Sequence, residues 1–160
     1  MAFQFDENGF LKPGGIVNTE LATVERVFVD DFPLSDTHRR LFNNFLRYLG
    51  DFQSRVSREF VLWMNGSFVT RKNNPNDLDF VVFLNHQVYD AQETFLDKFW
   101  TFSLEPQGLD AYIVKTFPEN HLMHYQTISD MTRWNELYST AKSARNPDKY
   151  TKGFAAIDFR

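Results

Sequence analysis

The chain has 160 residues, the size of one domain, with 42% hydrophobic and 24% charged residues, an ordinary globular balance. Its net charge of −4 argues against a protein that lives on nucleic acid by general electrostatics, though it leaves room for a local basic groove. It has no cysteine, which excludes disulfides and thiolate metal sites, and no apolar run of membrane-spanning length. The opening MAFQFDENGF lacks a basic stretch followed by an apolar one, so a soluble cytoplasmic protein without a secretory leader or membrane association is expected.

In chain order, FDENGFLKPGG is rich in turn formers and predicts an extended arm or small hairpin. From Thr19, read as an N-cap, Leu21, Val24, Val27 and Phe28 recur at helical spacing and predict a short helix ending before Pro33. Residues 1–34 thus form an N-terminal arm and helix, and 35–160 the core of a single domain. Ser35 is expected to cap a long helix with Leu41, Phe42, Phe45, Leu46, Leu49, Phe52 and Val56 along one stripe. FVLWM, 60–64, predicts a short buried strand ending at Asn65-Gly66-Ser67, and 70–76 a polar turn. Leu78 to Leu84 is apolar on both faces, the mark of a central strand. A helix over 91–103 carries Phe95, Leu96, Phe99, Trp100 and Phe102, and a third strand runs from Leu109 to Lys115. A last helix, Ser129 to Ala144, carries Met131, Trp134, Leu137, Tyr138 and Ala141; Arg145-Asn146-Pro147 ends it, and GFAAIDF is read as a terminal strand. The alternation predicts a mixed α/β or α+β domain, a mixed sheet flanked by helices.

Within this frame Asp77 and Asp79 fall on one face at the mouth of an otherwise apolar strand. Two desolvated carboxylates there repel each other unless a cation sits between them, and magnesium takes one or two carboxylates with water and phosphate oxygens. Alone, such a pair is more often a solvated, inert turn. Gly66-Ser67 closes the preceding strand, where glycine lets the backbone approach a phosphate and the serine hydroxyl can help cradle it. Asp110 begins the third strand. The histidines 38, 86, 121 and 124 lack zinc-ligand spacing and are read as structural or exposed.

A strand-end Gly-Ser, D-x-D on the next strand and a carboxylate on a third, here NGSF, NDLDFVVFL and LDAYIV, resembles the nucleotidyltransferase superfamily of polymerase beta and the bacterial minimal nucleotidyltransferases. FDENGFLKPG and KGFAAIDF look like an uncharacterised bacterial branch of it. Many minimal members continue the turn with Arg-Gly and place Ser before the first Asp, whereas here Phe68-Val69-Thr70 follows the turn and Asn76 precedes Asp77.

The resemblance implies magnesium- or manganese-dependent transfer of a nucleoside monophosphate from an NTP, ATP foremost, to an acceptor hydroxyl. Asp77, Asp79 and Asp110 would be the catalytic carboxylates and metal ligands, and Gly66, Ser67, Arg71 and Lys72 would bind nucleotide phosphates. Lys115 is a further candidate for the pyrophosphate charge, and Tyr112 a candidate stacking residue. A protein or small-molecule acceptor is favoured over RNA, in a toxin–antitoxin or phage-defence setting, with a homo-oligomer or cognate partner protein completing the site. The alternative is a non-catalytic nucleotide- or partner-binding protein that keeps the fold. A nucleotide-sugar transferase would share D-x-D but leaves the Gly-Ser turn unexplained.

Overall fold

Two apolar runs with a polar turn between them form the centre of the sheet. These are β4 (Phe60–Asn65) and β5 (Leu78–Asn85), antiparallel with Leu62 opposite Val82 and Asn65 opposite Asp79. The computed structural model describes residues 3–100, 104–143 and 146–160. Ahead of β4 lie β1 (Gln4–Phe5), β2 (Leu11–Lys12) and β3 (Gly15–Thr19). Helix α1 (Leu21–Glu25) runs into a π-helical turn (Arg26–Asp30), and α2 (His38–Arg55) follows. Beyond β5 come α3 (His86–Leu96), β6 (Leu109–Thr116), α4 (His124–Tyr138), β7 (Thr140–Ser143), β8 (Asn146–Thr151) and β9 (Gly153–Phe159).

The main sheet is ordered β1-β2-β9-β4-β5-β6, with β3 also pairing parallel to β9; β7 and β8 form a separate hairpin. Because β5 and β6 are parallel and β4 is antiparallel to both β5 and β9, one end of the sheet gathers the end of β4 and the starts of β5, β6 and β9. This is a mixed α/β fold.

Strand alternation divides the core in two. Leu78, Phe80, Val82 and Leu84 face α2, whose Leu41, Phe42, Phe45, Tyr48, Leu49 and Phe52 are buried against them and their neighbours. Phe45 and Tyr48 both meet the edge of Phe80, with centroids 5.2 and 4.8 Å away. Each such buried side chain contributes about 1.5–3 kcal/mol. Val81 and Phe83 point to the opposite face, with Trp63, Phe154 and Tyr138, and Trp134 and Met131 of α4 pack against this second cluster. Asp77 and Asp79 share that side by alternation, so the carboxylates lie on the face that α4 partly covers.

Several expectations shift. The N-terminal hairpin forms as β1 and β2, but β3 is an added strand, and Thr19 ends it while Glu20 is the N-cap position of α1. The N-cap residue of α2 is Thr37 instead of Ser35, since the helix begins at His38; Ser35 stands two residues ahead, its Oγ accepting the N–H groups of Thr37 (3.2 Å) and His38 (3.1 Å). Leu46 on α2 is partly exposed and Val56 is its C-cap residue. The helix expected over 91–103 begins at His86, because Asn85 Oδ1 accepts the Gln87 N–H at 2.9 Å and caps it. It ends at Leu96, followed by a 3-10 turn to Phe99; Phe102 lies outside the described residues. The last helix spans His124–Tyr138 instead of Ser129–Ala144. Ala141 sits in β7 and Asn146-Pro147 begin β8, while Ala144 and Arg145 lie outside the described residues. The strand at GFAAIDF is present as β9, and it is central. No described helix is long and apolar enough to cross a membrane.

Candidate functional site

The gathered sheet end holds the sequence-predicted carboxylates. Asp79 and Asp110 occupy equivalent positions on the parallel pair β5 and β6, facing each other across one strand spacing, about 4.8 Å. Asp77 stands one residue before β5, exposed, on the same side by alternation. Asp79 is half-buried, and its Oδ1 is buried with no hydrogen-bond partner. Burial raises its pKa to about 7, reinforced by Asp77 and Asp110 and opposed by Lys152. Among the described residues no three His, Asp or Glu side chains form a ready-made metal cluster. The carboxylates are neighbours without yet converging on one point.

Gly66 is what lets the turn close on Asp79. Its φ of +82° and ψ of −172° lie where only glycine is comfortable, and a Cβ there would stand 2.6 Å from Asp79 Oδ2. Ser67 opens the 3-10 turn Ser67–Val69, and its carbonyl accepts the Thr70 hydroxyl at 2.7 Å. Phe68 is driven fully into the core among Phe28, His38 and Phe42, which fixes the turn from beneath.

Gly66, Ser67, Arg71 and Lys72 line one cleft of about 480 Å³, with Asn8 from the N-terminal hairpin and Lys152 from the residue before β9. Arg71 is anchored to the hairpin: its N–H donates to Gly9 O at 2.9 Å and its guanidinium sits 4.9 Å over the Phe5 ring. The Lys72 carbonyl meets His38 Nε2 at 2.9 Å, and its N–H donates to Thr70 Oγ1 at 3.1 Å. All four sequence-predicted phosphate-binding residues therefore border the same space.

Lys115 does not. It lies at the far end of β6, about 16 Å along the strand from Asp110, with its ammonium 2.5 Å from Asp90 Oδ1. The histidines occupy structural positions. His38 is buried and stacked on Phe32 at 4.2 Å, with its pKa lowered by burial. His121 Nδ1 accepts the Met123 N–H, and His124 Nδ1 meets Phe117 O at 2.8 Å.

Sequence reading missed Lys152 and Asn65. Lys152 is buried, its Nζ donating to the buried Asn65 Oδ1 at 2.7 Å. Burial lowers its pKa and Asp79 partly restores it. The tripeptide Thr-Lys-Gly before an apolar strand is the only local signal, and it does not mark a buried cation. Tyr112 and Tyr138 complete the wall near the carboxylates. The Tyr112 pKa is raised by burial, then by Asp110 beside it. Burial, then Asp79 and Asp110, keeps Tyr138 protonated, and its hydroxyl, like Trp134 Nε1 and Asn135 Oδ1, is buried without a partner. Tyr112 packs on Trp134 at 5.2 Å and 49°, a tilted aromatic contact within the protein.

No curated protein and no solved structure matches the chain with significance. One family model matches residues 3–158, almost the whole sequence, and the chain belongs to that family, DUF6932, a family of unknown function.

Proposed function

We propose that the protein is a magnesium-dependent nucleotidyltransferase that moves a nucleoside monophosphate from an NTP, ATP foremost, to a hydroxyl of a protein or small molecule. The observation that carries this reading is the half-buried Asp79, its Oδ1 unpartnered, in register with Asp110 and folded against the Gly66-Ser67 turn. An orphaned carboxylate oxygen among other carboxylates is the donor set a hard cation requires. Asp77, Asp79 and Asp110 would hold the metal. Bound magnesium would stabilise charge on the attacking and leaving oxygens and lower the acceptor hydroxyl's pKa.

The chain's own groups supply the rest. With a pKa of about 7, Asp79 carries a proton for part of the time at neutral pH, and a cation favours its release. Gly66 and Ser67 line the cleft in which the β and γ phosphates would sit, and Arg71 and Lys72 would neutralise the departing pyrophosphate. Fixed in place by Phe68 below and the hairpin beside it, the turn needs little reorganisation.

The second reading is a nucleotide-binding protein without catalysis. The lack of a ready-made three-ligand cluster among the described residues favours it. Pyrophosphate release and transfer of label from α-labelled NTPs to macromolecules and metabolites of the source cell separate the two. Wild-type protein with magnesium should transfer label, and Asp77→Asn and Asp79→Asn should not. Nucleotide binding without transfer or pyrophosphate would favour the second reading.

A further inference from the structure

Three cationic side chains, Arg71, Lys72 and Lys152, line the cleft beside Gly66 and Ser67, and among the described residues no carboxylate lines it. Arg71 and Lys72 are exposed loop residues. Lys152 is only 7% exposed, and its backbone is pinned on both sides. Its N–H donates to Ser139 O at 2.8 Å, just beyond α4, and its carbonyl accepts the Gly15 N–H at 3.0 Å from β3. Two backbone hydrogen bonds, one to the end of α4 and one to β3, therefore hold this lysine at the cleft.

An ammonium removed from water to this extent needs compensation. Its hydrogen bond goes to Asn65, a neutral amide that stands directly opposite Asp79 in the β4–β5 pairing. An ammonium has three donors and Asn65 takes one, so two remain for other oxygens. A cation arriving at Asp79 would repel Lys152, and the cleft it already lines is where an anion could receive it. The positions of the charges thus suit an exchange, in which one cation replaces another beside the carboxylate and the displaced one finds phosphate.

We propose that Lys152 is the charge-balancing and polyphosphate-binding residue of this site. Its ammonium offsets Asp79 while no metal is bound and donates to polyphosphate oxygens in the cleft when metal and polyphosphate bind together. The inference rests on the nucleotidyltransferase reading for where metal and polyphosphate bind, but its test does not need turnover.

Calorimetry with inorganic tripolyphosphate in saturating magnesium and with magnesium chloride alone, on wild type, Lys152→Met and Lys152→Gln, tests it, with thermal melts to verify folding. Tripolyphosphate affinity should fall about tenfold in both variants, the loss of a charge-assisted hydrogen bond. Magnesium affinity should rise about threefold, because a competing positive charge has left Asp79. A purely structural lysine would weaken both ligands together or leave both unchanged, and either result overturns the proposal. Lys152→Gln can still donate to Asn65, so it preserves the local packing if Lys152→Met does not fold. In wild type itself, tripolyphosphate with magnesium should shift the Lys152 side-chain ammonium resonance, and an unmoved resonance overturns the proposal as well. Opposed shifts without nucleotide transfer would retain the role of Lys152 and remove the proposed function; transfer without the opposed shifts would do the reverse.

Discussion

Replacing Asp79 with asparagine should stabilise the metal-free protein, and the gain should depend on pH. The Asp79 carboxyl has its pKa raised from 3.8 to about 7 in the folded chain, first by burial and then by Asp77 and Asp110. As pH rises above the unfolded value, the unfolded chain releases this proton while the folded chain retains it. Wild-type stability therefore falls between about pH 4 and 7 and levels off above that. At about 1.4 kcal/mol per tenfold change in proton affinity, the full shift corresponds to about 4 kcal/mol. Solvent screening of this only half-buried side chain reduces this to about 2 kcal/mol. For a chain of this length that is a gain of about 4–8 °C in Tm for Asp79→Asn near pH 8, shrinking towards zero near pH 4. His38, whose pKa is lowered by burial, acts in the opposite sense: its contribution is lost as pH falls below 6.5. Both proteins share it, so it cancels in the difference. Thermal melts of the two proteins from about pH 4 to 8, without divalent metal, measure the effect. A variant less stable than wild type near pH 8, or a difference independent of pH, would refute the reasoning, since either would mean that Asp79 is a satisfied structural carboxylate. Magnesium should raise the wild-type Tm and leave the variant's nearly unchanged.

Gly66→Ala should lose about 1–3 kcal/mol in urea unfolding and abolish nucleotide binding, because its backbone conformation and the closeness of Asp79 both exclude a Cβ. Phe68→Ala should cost about 3–5 kcal/mol by the same assay, as it empties a fully buried site between Phe28 and Phe42. Lys115→Ala removes a partly exposed ion pair far from the carboxylates, so it should change stability by at most about 1 kcal/mol and leave nucleotide transfer at the wild-type rate. Ser67→Ala should weaken NTP binding in calorimetry without lowering the Tm, since the hydrogen bonds that fix the turn are accepted by the backbone carbonyls of Gly66 and Ser67.

The centre of the fold is legible because its signals are local and strong. The stripe of α2, the apolar runs of β4 and β5 and the start of β6 at Leu109 can all be read from periodicity and turn residues. The start of α3 was readable too, in the capping Asn85, but the aromatic run after Glu93 carries the stronger apolar signal and pulls the expected start downstream. Strand β3 was not legible: five residues begun by a glycine acquire their structure only by pairing with β9, at the opposite end of the chain. The last helix was shifted because Ala141 continues an apolar spacing that the chain in fact uses in a hairpin. In the site, the carboxylates and Gly-Ser turn were legible as motifs, whereas the register of Asp79 with Asp110 follows from parallel pairing that no single segment encodes. Lys152 was invisible for the same reason, since its partner Asn65 and its neighbour Asp79 are distant in sequence.

Anomalous diffraction from crystals soaked with manganese and a non-hydrolysable ATP analogue tests the central claim most directly. The account predicts a manganese peak at about 2.0–2.3 Å from carboxylate oxygens of Asp79 and at least one of Asp77 and Asp110, with the analogue's phosphates against Gly66 and Ser67. Manganese absent from Asp79 at full nucleotide occupancy, or a nucleotide bound outside the Gly66-Ser67 cleft, would contradict it.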